Sequence, residues 1–188
     1  MADGVPPNQV YRVLSSESGI DRAFEVLDRI KGEIVWWNKG THPPEMLRAG
    51  KVVMTSAWNG RIYNAIKEHG EDFAIVWDGQ IWDFEGWVIP KGTNNLKEAL
   101  DFIAFSSDPK RMAKQTQYIA YSPSRKSAMA IVDDNVLRHL PTAEENARNS
   151  LQFNFRWWAD NKVAIEERFA KWLSEGSWGY DFNALDKN

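Results

Sequence analysis

Two carboxylates two residues apart, set among aromatic rings, are the feature of this chain most suited to chemistry: Trp82-Asp83-Phe84-Glu85-Gly86-Trp87. Side chains alternate along an extended strand, so Asp83 and Glu85 would share one face, with Trp82 and Phe84 on the other. Acids beside aromatic faces suit an organic cation. The carboxylates supply attraction, and cation–π contact adds ~0.5–2 kcal/mol. The solvated face of an edge strand would carry the same residues, and the spacing alone does not separate these readings. A carbohydrate-active hydrolase is a rival, since acid pairs cleave glycosides and tryptophans stack on sugars. Acids two apart on one strand, however, lie roughly 7 Å apart at the backbone, whereas hydrolases set them on opposite sides of the bond. A carbohydrate-binding module using exposed tryptophans is the non-enzymatic rival. No nucleophile motif or phosphate-cradling glycine loop stands in the sequence, and nothing in it requires catalysis.

Trp58 is the second candidate. It follows the apolar run Lys51 to Ala57 and precedes Asn59-Gly60 and a helical segment. A side chain at the carboxyl end of a strand stands where α/β sheets bind ligands. A tryptophan capping the hydrophobic core would look the same in sequence.

The bulk numbers narrow the classes. The 188 residues allow one domain or two small lobes, and 43% apolar with 26% charged residues is ordinary for a folded chain. A net charge of -3 argues against nucleic acid as the main partner. Cysteine is absent, which excludes thiol chemistry. His42, His69 and His139 lack metal-ligand spacing, so neither a metal nor another cofactor is expected. No apolar run is long enough to span a membrane, and MADGVPPNQVY reads as a polar loop rather than an export signal.

The elements that must position these residues follow from periodicity. Helices are expected from about Ser18 to Ile30, after Pro43-Pro44, over Arg61 to His69, over Asn95 to Phe105, from Asp108-Pro109 to about Gln117, and over about Phe155 to Ser174. A short helix is expected after the loop Tyr118 to Arg125. Strands are expected at Glu33 to Trp37, Lys51 to Ala57, Phe73 to Trp77 and Ile81 to Ile89. Strands alternating with helices predict an α/β fold.

The stretches VVMTSAWNGRIYNA, IVWDGQIWDFEGWVIPKGTNNLKEALDFIAF and QYIAYSPSRKSA, followed by a Trp-bearing terminal helix, resemble the spermidine/putrescine-binding proteins of bacterial ABC importers. The likeness runs in order over nearly the whole chain. It implies a two-lobed fold of the periplasmic-binding-protein type II kind that closes on a polyamine, a cognate ABC permease as partner, and a periplasmic location. It implies that Trp58 stacks on the ligand's methylene chain, that Glu85 pairs an ammonium group, and that Tyr121 reaches the cleft from the other lobe. By the same resemblance residues 1–83 and 130–188 are second-lobe segments and 84–129 is the return segment of the first lobe. The remainder of that lobe would be absent, so the chain represents a carboxyl-terminal part, incomplete at the N-terminus, and the return segment would expose apolar surface.

Two residues depart from the family pattern. Asp83 replaces a second aromatic, which makes the cleft more acidic. Arg156 falls near a cleft position that is polar and uncharged in the family. Arginine repels an ammonium and pairs with a carboxylate. The expectation is therefore a receptor for putrescine or spermidine, with a zwitterionic ω-amino acid such as 4-aminobutyrate as the alternative ligand.

Overall fold

The computed structural model describes residues 1–175; the expected second-lobe segment 130–188 therefore lies partly outside the described residues. The chain divides into two compact units, Met1–Met54 with Leu151–Asn188, and Thr55–Ser150.

The first unit contains α1 (Val10–Leu14), α2 (Glu17–Asp28), α3 (His42–Arg48) and, from its second segment, the long helix that closes the described chain (Phe155–Ser174). The opening segment is not the loop expected. Pro7–Gln9 makes a 3-10 turn and α1 follows directly, because proline at a first helical turn gives up only an amide that has no partner there and Val10 can then be buried. Ser16 caps α2 by accepting a hydrogen bond from the Gly19 amide at 3.2 Å. Gly19 is required by close approach: a Cβ there would stand 1.8 Å from the Val13 carbonyl oxygen.

Most tryptophans of this unit are packing residues. Trp172 is buried, stacks edge-on against Phe24 at 5.8 Å and against Trp36 at 6.1 Å, and donates its Nε1–H to Asp28 at 2.8 Å. Trp157 donates to Ser15 Oγ at 3.0 Å and packs 5.3 Å from the Tyr11 ring. These contacts hold the long helix to α1 and α2, with the aromatic bodies buried and their polar tips satisfied.

The second unit contains α4 (Asn59–His69), α5 (Leu96–Ser106), α6 (Pro109–Gln115), α7 (Lys126–Met129), α8 (Asp134–Leu137) and α9 (Glu144–Ala147); the helix Phe155–Ser174 is α10. Asp108 caps α6 by accepting from the Lys110 and Arg111 amides, and Gly70 ends α4 at φ 68, a conformation that glycine adopts without strain. The core of the unit is Tyr63, Ala113, Ala120, Val132, Val136 and Leu140. In contrast, α5 buries no residue, and Trp87, Leu96, Leu100, Phe102 and Phe105 are exposed.

The strand expectations need correction. Among the described residues, strand structure is confined to Ile81–Trp82 and Leu151–Gln152. Glu33 to Trp37, Lys51 to Ala57 and Phe73 to Trp77 form no ladder, and Ile81 to Ile89 is strand only at its start. The local signal itself survives: Phe73, Ile75 and Trp77 are half-buried, while Asp72, Ala74 and Val76 are exposed, the two-residue period of a strand. A ladder also needs partner backbone in register, and β propensity cannot supply that.

Candidate functional site

Four of the five residues singled out from the sequence fall in the second unit, and the start of α4 meets the loop that carries one of them, Tyr121. Trp58 is the N-cap residue of α4, with extended backbone at φ -70 and ψ 124. It is 55% exposed, so capping the core is not its role. No strand leads into it. The position is instead defined by the turn into the helix.

The two residues after Trp58 bind the loop that carries Tyr121. Asn59 donates from Nδ2 to the Ala120 carbonyl at 2.6 Å, and Ala120 is fully buried. Gly60 is buried with its helical backbone against the same loop. A Cβ on it would lie 2.6 Å from Ile119 Cγ1 and 2.8 Å from Tyr121 Cε1. Tyr121 is half-buried, and its own amide closes a tight turn onto the Ile119 carbonyl at 2.8 Å.

Charge converges on this phenol. Burial first, and then the negative charge of Glu85, push the Tyr121 hydroxyl above its ordinary value, while the positive charge of Arg61 acts in the opposite sense. The charges of Glu85 and Arg61 thus act in opposite senses on one half-buried hydroxyl. Arg61 was not anticipated from the sequence, although it stands three residues after Trp58, the spacing that places side chains on one side of a helix.

Asp83 and Glu85 do not act as the alternating pair expected. Strand geometry ends at Trp82, and Asp83 turns its carboxylate onto the chain, where Oδ1 accepts the Phe84 amide at 2.7 Å. Both acids are exposed, and the charge felt by Tyr121 is that of Glu85. Arg156 lies in the first unit, exposed in the first turn of α10, with its guanidinium carbon 5.8 Å from the Phe155 ring centroid.

A cavity of about 430 Å³ also opens in the second unit, lined by Tyr63, Lys67, Ile75, Trp77 and His139 among others. Its lining does not include the candidate ligand residues, and size alone does not make it the site. Burial first, and then the charge of Arg138, lower the ionisation of His139. Among the described residues, no group of His, Asp and Glu is placed to hold a metal ion, and no helix is long and apolar enough to cross a membrane.

Comparison with known proteins accounts for this architecture. Residues 1–142 match the family model described as bacterial extracellular solute-binding protein. A gamma-aminobutyric acid-binding protein of Pseudomonas aeruginosa is 41% identical over 174 residues, 93% of this chain and 49% of that protein. An ABC transporter substrate-binding protein from Bradyrhizobium japonicum superposes with a TM-score of 0.79 at 30% identity, over 92% of this chain and 53% of that one. The Atu4243-GABA receptor superposes with a TM-score of 0.75 at 26% identity, over 96% and 54%. The chain thus spans about half the length of these relatives, and the periplasmic-binding-protein fold expected from the sequence is the fold they share. With three quarters of its residues inside the family match, the chain belongs to the bacterial extracellular solute-binding protein family.

Proposed function

We propose that this chain is part of the solute-binding component of an ABC importer, and that its ligand is a zwitterionic ω-amino acid of the 4-aminobutyrate class. The observation that carries the reading is the docking of the first residues of α4 on the Tyr121 loop. It brings the helix start that carries the exposed Trp58 and Arg61 to a half-buried phenol on which the charges of Glu85 and Arg61 act in opposite senses. A ligand with an ammonium at one end and a carboxylate at the other matches such a pair. The name of the Pseudomonas aeruginosa relative supports the same ligand class. A polyamine presents cations at both ends, and Arg61 would repel one of them.

In this reading Glu85 pairs the ammonium and Arg61 takes the carboxylate, for which the planar guanidinium fork is well shaped. Trp58 covers the methylenes, and the Tyr121 hydroxyl donates to an anionic oxygen or accepts from the ammonium. Asp83 is a second acid for the ammonium end, and Arg156 a second candidate for the carboxylate. The residue segments 1–83 and 130–188 would belong to one lobe and 84–129 to the other. Closure about a hinge would bury the ligand and present a changed surface to the permease, in the periplasm. The function is capture without reaction, since charged groups leaving water must be paired, and the pairing selects the ligand.

The reading is tested by comparing Arg61→Gln and Arg156→Gln in calorimetric titrations. Arg61→Gln should weaken 4-aminobutyrate binding by at least about tenfold, the loss of a charged hydrogen bond. Equal affinity after that change would remove Arg61 from the site, and a loss confined to Arg156→Gln would transfer the carboxylate to Arg156.

A further inference from the structure

Gly60 occupies the first turn of a helix with no positive φ to excuse it. Glycine weakens a helix relative to alanine, so conformational need does not account for its presence. Close approach does: the positions its Cβ would take are filled by the side chains of Ile119 and Tyr121. Its neighbour Asn59 reaches across to the same loop, bonding the one carbonyl that lies between those two residues. The contacts are made by adjacent residues to adjacent residues, and they end at the phenol on which Glu85 and Arg61 act.

We propose that Asn59 and Gly60 are positioning residues for Tyr121. Asn59 fixes the height of the 119–121 turn against α4, and Gly60 provides the room that lets the ring approach the start of the helix. Together they set the distance from the hydroxyl to Glu85 and Arg61, and hence ligand affinity, without touching ligand themselves. The ligand part of this inference rests on the function proposed above. The part concerning the phenol does not.

The experiment is ultraviolet titration of tyrosine ionisation in the whole chain, with Tyr121→Phe identifying the Tyr121 component, alongside calorimetric titration with 4-aminobutyrate. Gly60→Ala should displace the ring, move the Tyr121 midpoint down towards about 10, and weaken 4-aminobutyrate binding by about tenfold. In a Tyr121→Ala background, Gly60→Ala should cost no further affinity, because the residue through which it acts is gone. Asn59→Ala should shift the same midpoint in the same direction, and it carries the test if Gly60→Ala does not fold by circular dichroism. An unmoved midpoint in a folded Gly60→Ala or Asn59→Ala variant would overturn the proposal. A further loss of affinity in the Tyr121→Ala background would also overturn it. A midpoint that moves in folded Gly60→Ala and Asn59→Ala, in a chain whose wild type binds no 4-aminobutyrate, would uphold the positioning and reject the ligand assignment instead.

Discussion

Gly60 and Tyr121 stand so close that a methyl group on the glycine would come within 2.8 Å of the tyrosine ring carbon Cε1. This approach brings the phenol to the start of α4, where Trp58 is exposed and Arg61 follows one turn later. It connects a helix terminus, a loop from elsewhere in the same unit, and the acid at Glu85.

The opposed charges on Tyr121 predict opposite responses to their removal. Glu85→Gln should bring the Tyr121 midpoint down, and Arg61→Gln should raise it further, both read by difference absorbance as the phenolate forms. Because burial and Glu85 raise the folded value above the unfolded one, stability should be fully present below about pH 10 and be lost as pH rises through the folded value. Thermal melts of wild type and Tyr121→Phe across that range check the sign. The Tyr121→Phe melt should depend less on pH.

At the acid end, His139 behaves in the opposite sense. Its Nε2 faces the Arg138 Nε at 3.3 Å and its ring lies 5.3 Å from the Tyr63 ring, so protonation places a second cation against the guanidinium. The folded value is lowered, and stability should be present above about pH 6.5 and decline as pH falls through the folded value. His139→Gln should flatten that decline in urea denaturation series.

Trp172 predicts a stability effect in the first unit. Its ring is buried against Phe24, Trp36 and Phe169, and its indole N–H bonds Asp28. Trp172→Ala should destabilise by about 3–5 kcal/mol through the cavity it leaves. Asp28→Ala should cost about 1–2 kcal/mol for the unpaired indole donor. Denaturant midpoints followed by tryptophan fluorescence measure both.

The longer helices were legible because their signals are local, whereas the short α1, α8 and α9 were not. Asp108-Pro109 gives both a cap and a permitted first turn, Gly70 ends α4, and the apolar spacing of α4 lies within a few residues. The strands were not, because Phe73 to Trp77 carries the alternation without a partner, and pairing depends on residues distant in sequence. Trp58, Asp83 and Glu85 were singled out by residue type and spacing and Tyr121 by the family resemblance; the two residues after Trp58 dock on the loop that carries Tyr121. Arg61 was hidden in plain order: its spacing from Trp58 was readable, but its action on Tyr121 depends on the 119–121 turn docking on the helix. The strand expected through Ile89 stops at Trp82, so the alternation read for Asp83 and Glu85 has no ladder to carry it.

The most direct measurement is calorimetric titration of the chain, after a folding check by circular dichroism, with 4-aminobutyrate, putrescine and spermidine in parallel. The account predicts that 4-aminobutyrate binds at least about tenfold more tightly than either polyamine, a difference of ~1.4 kcal/mol, and that Arg61→Gln abolishes this preference. Tighter binding of putrescine or spermidine by the wild-type chain, unchanged by Arg61→Gln, would contradict it.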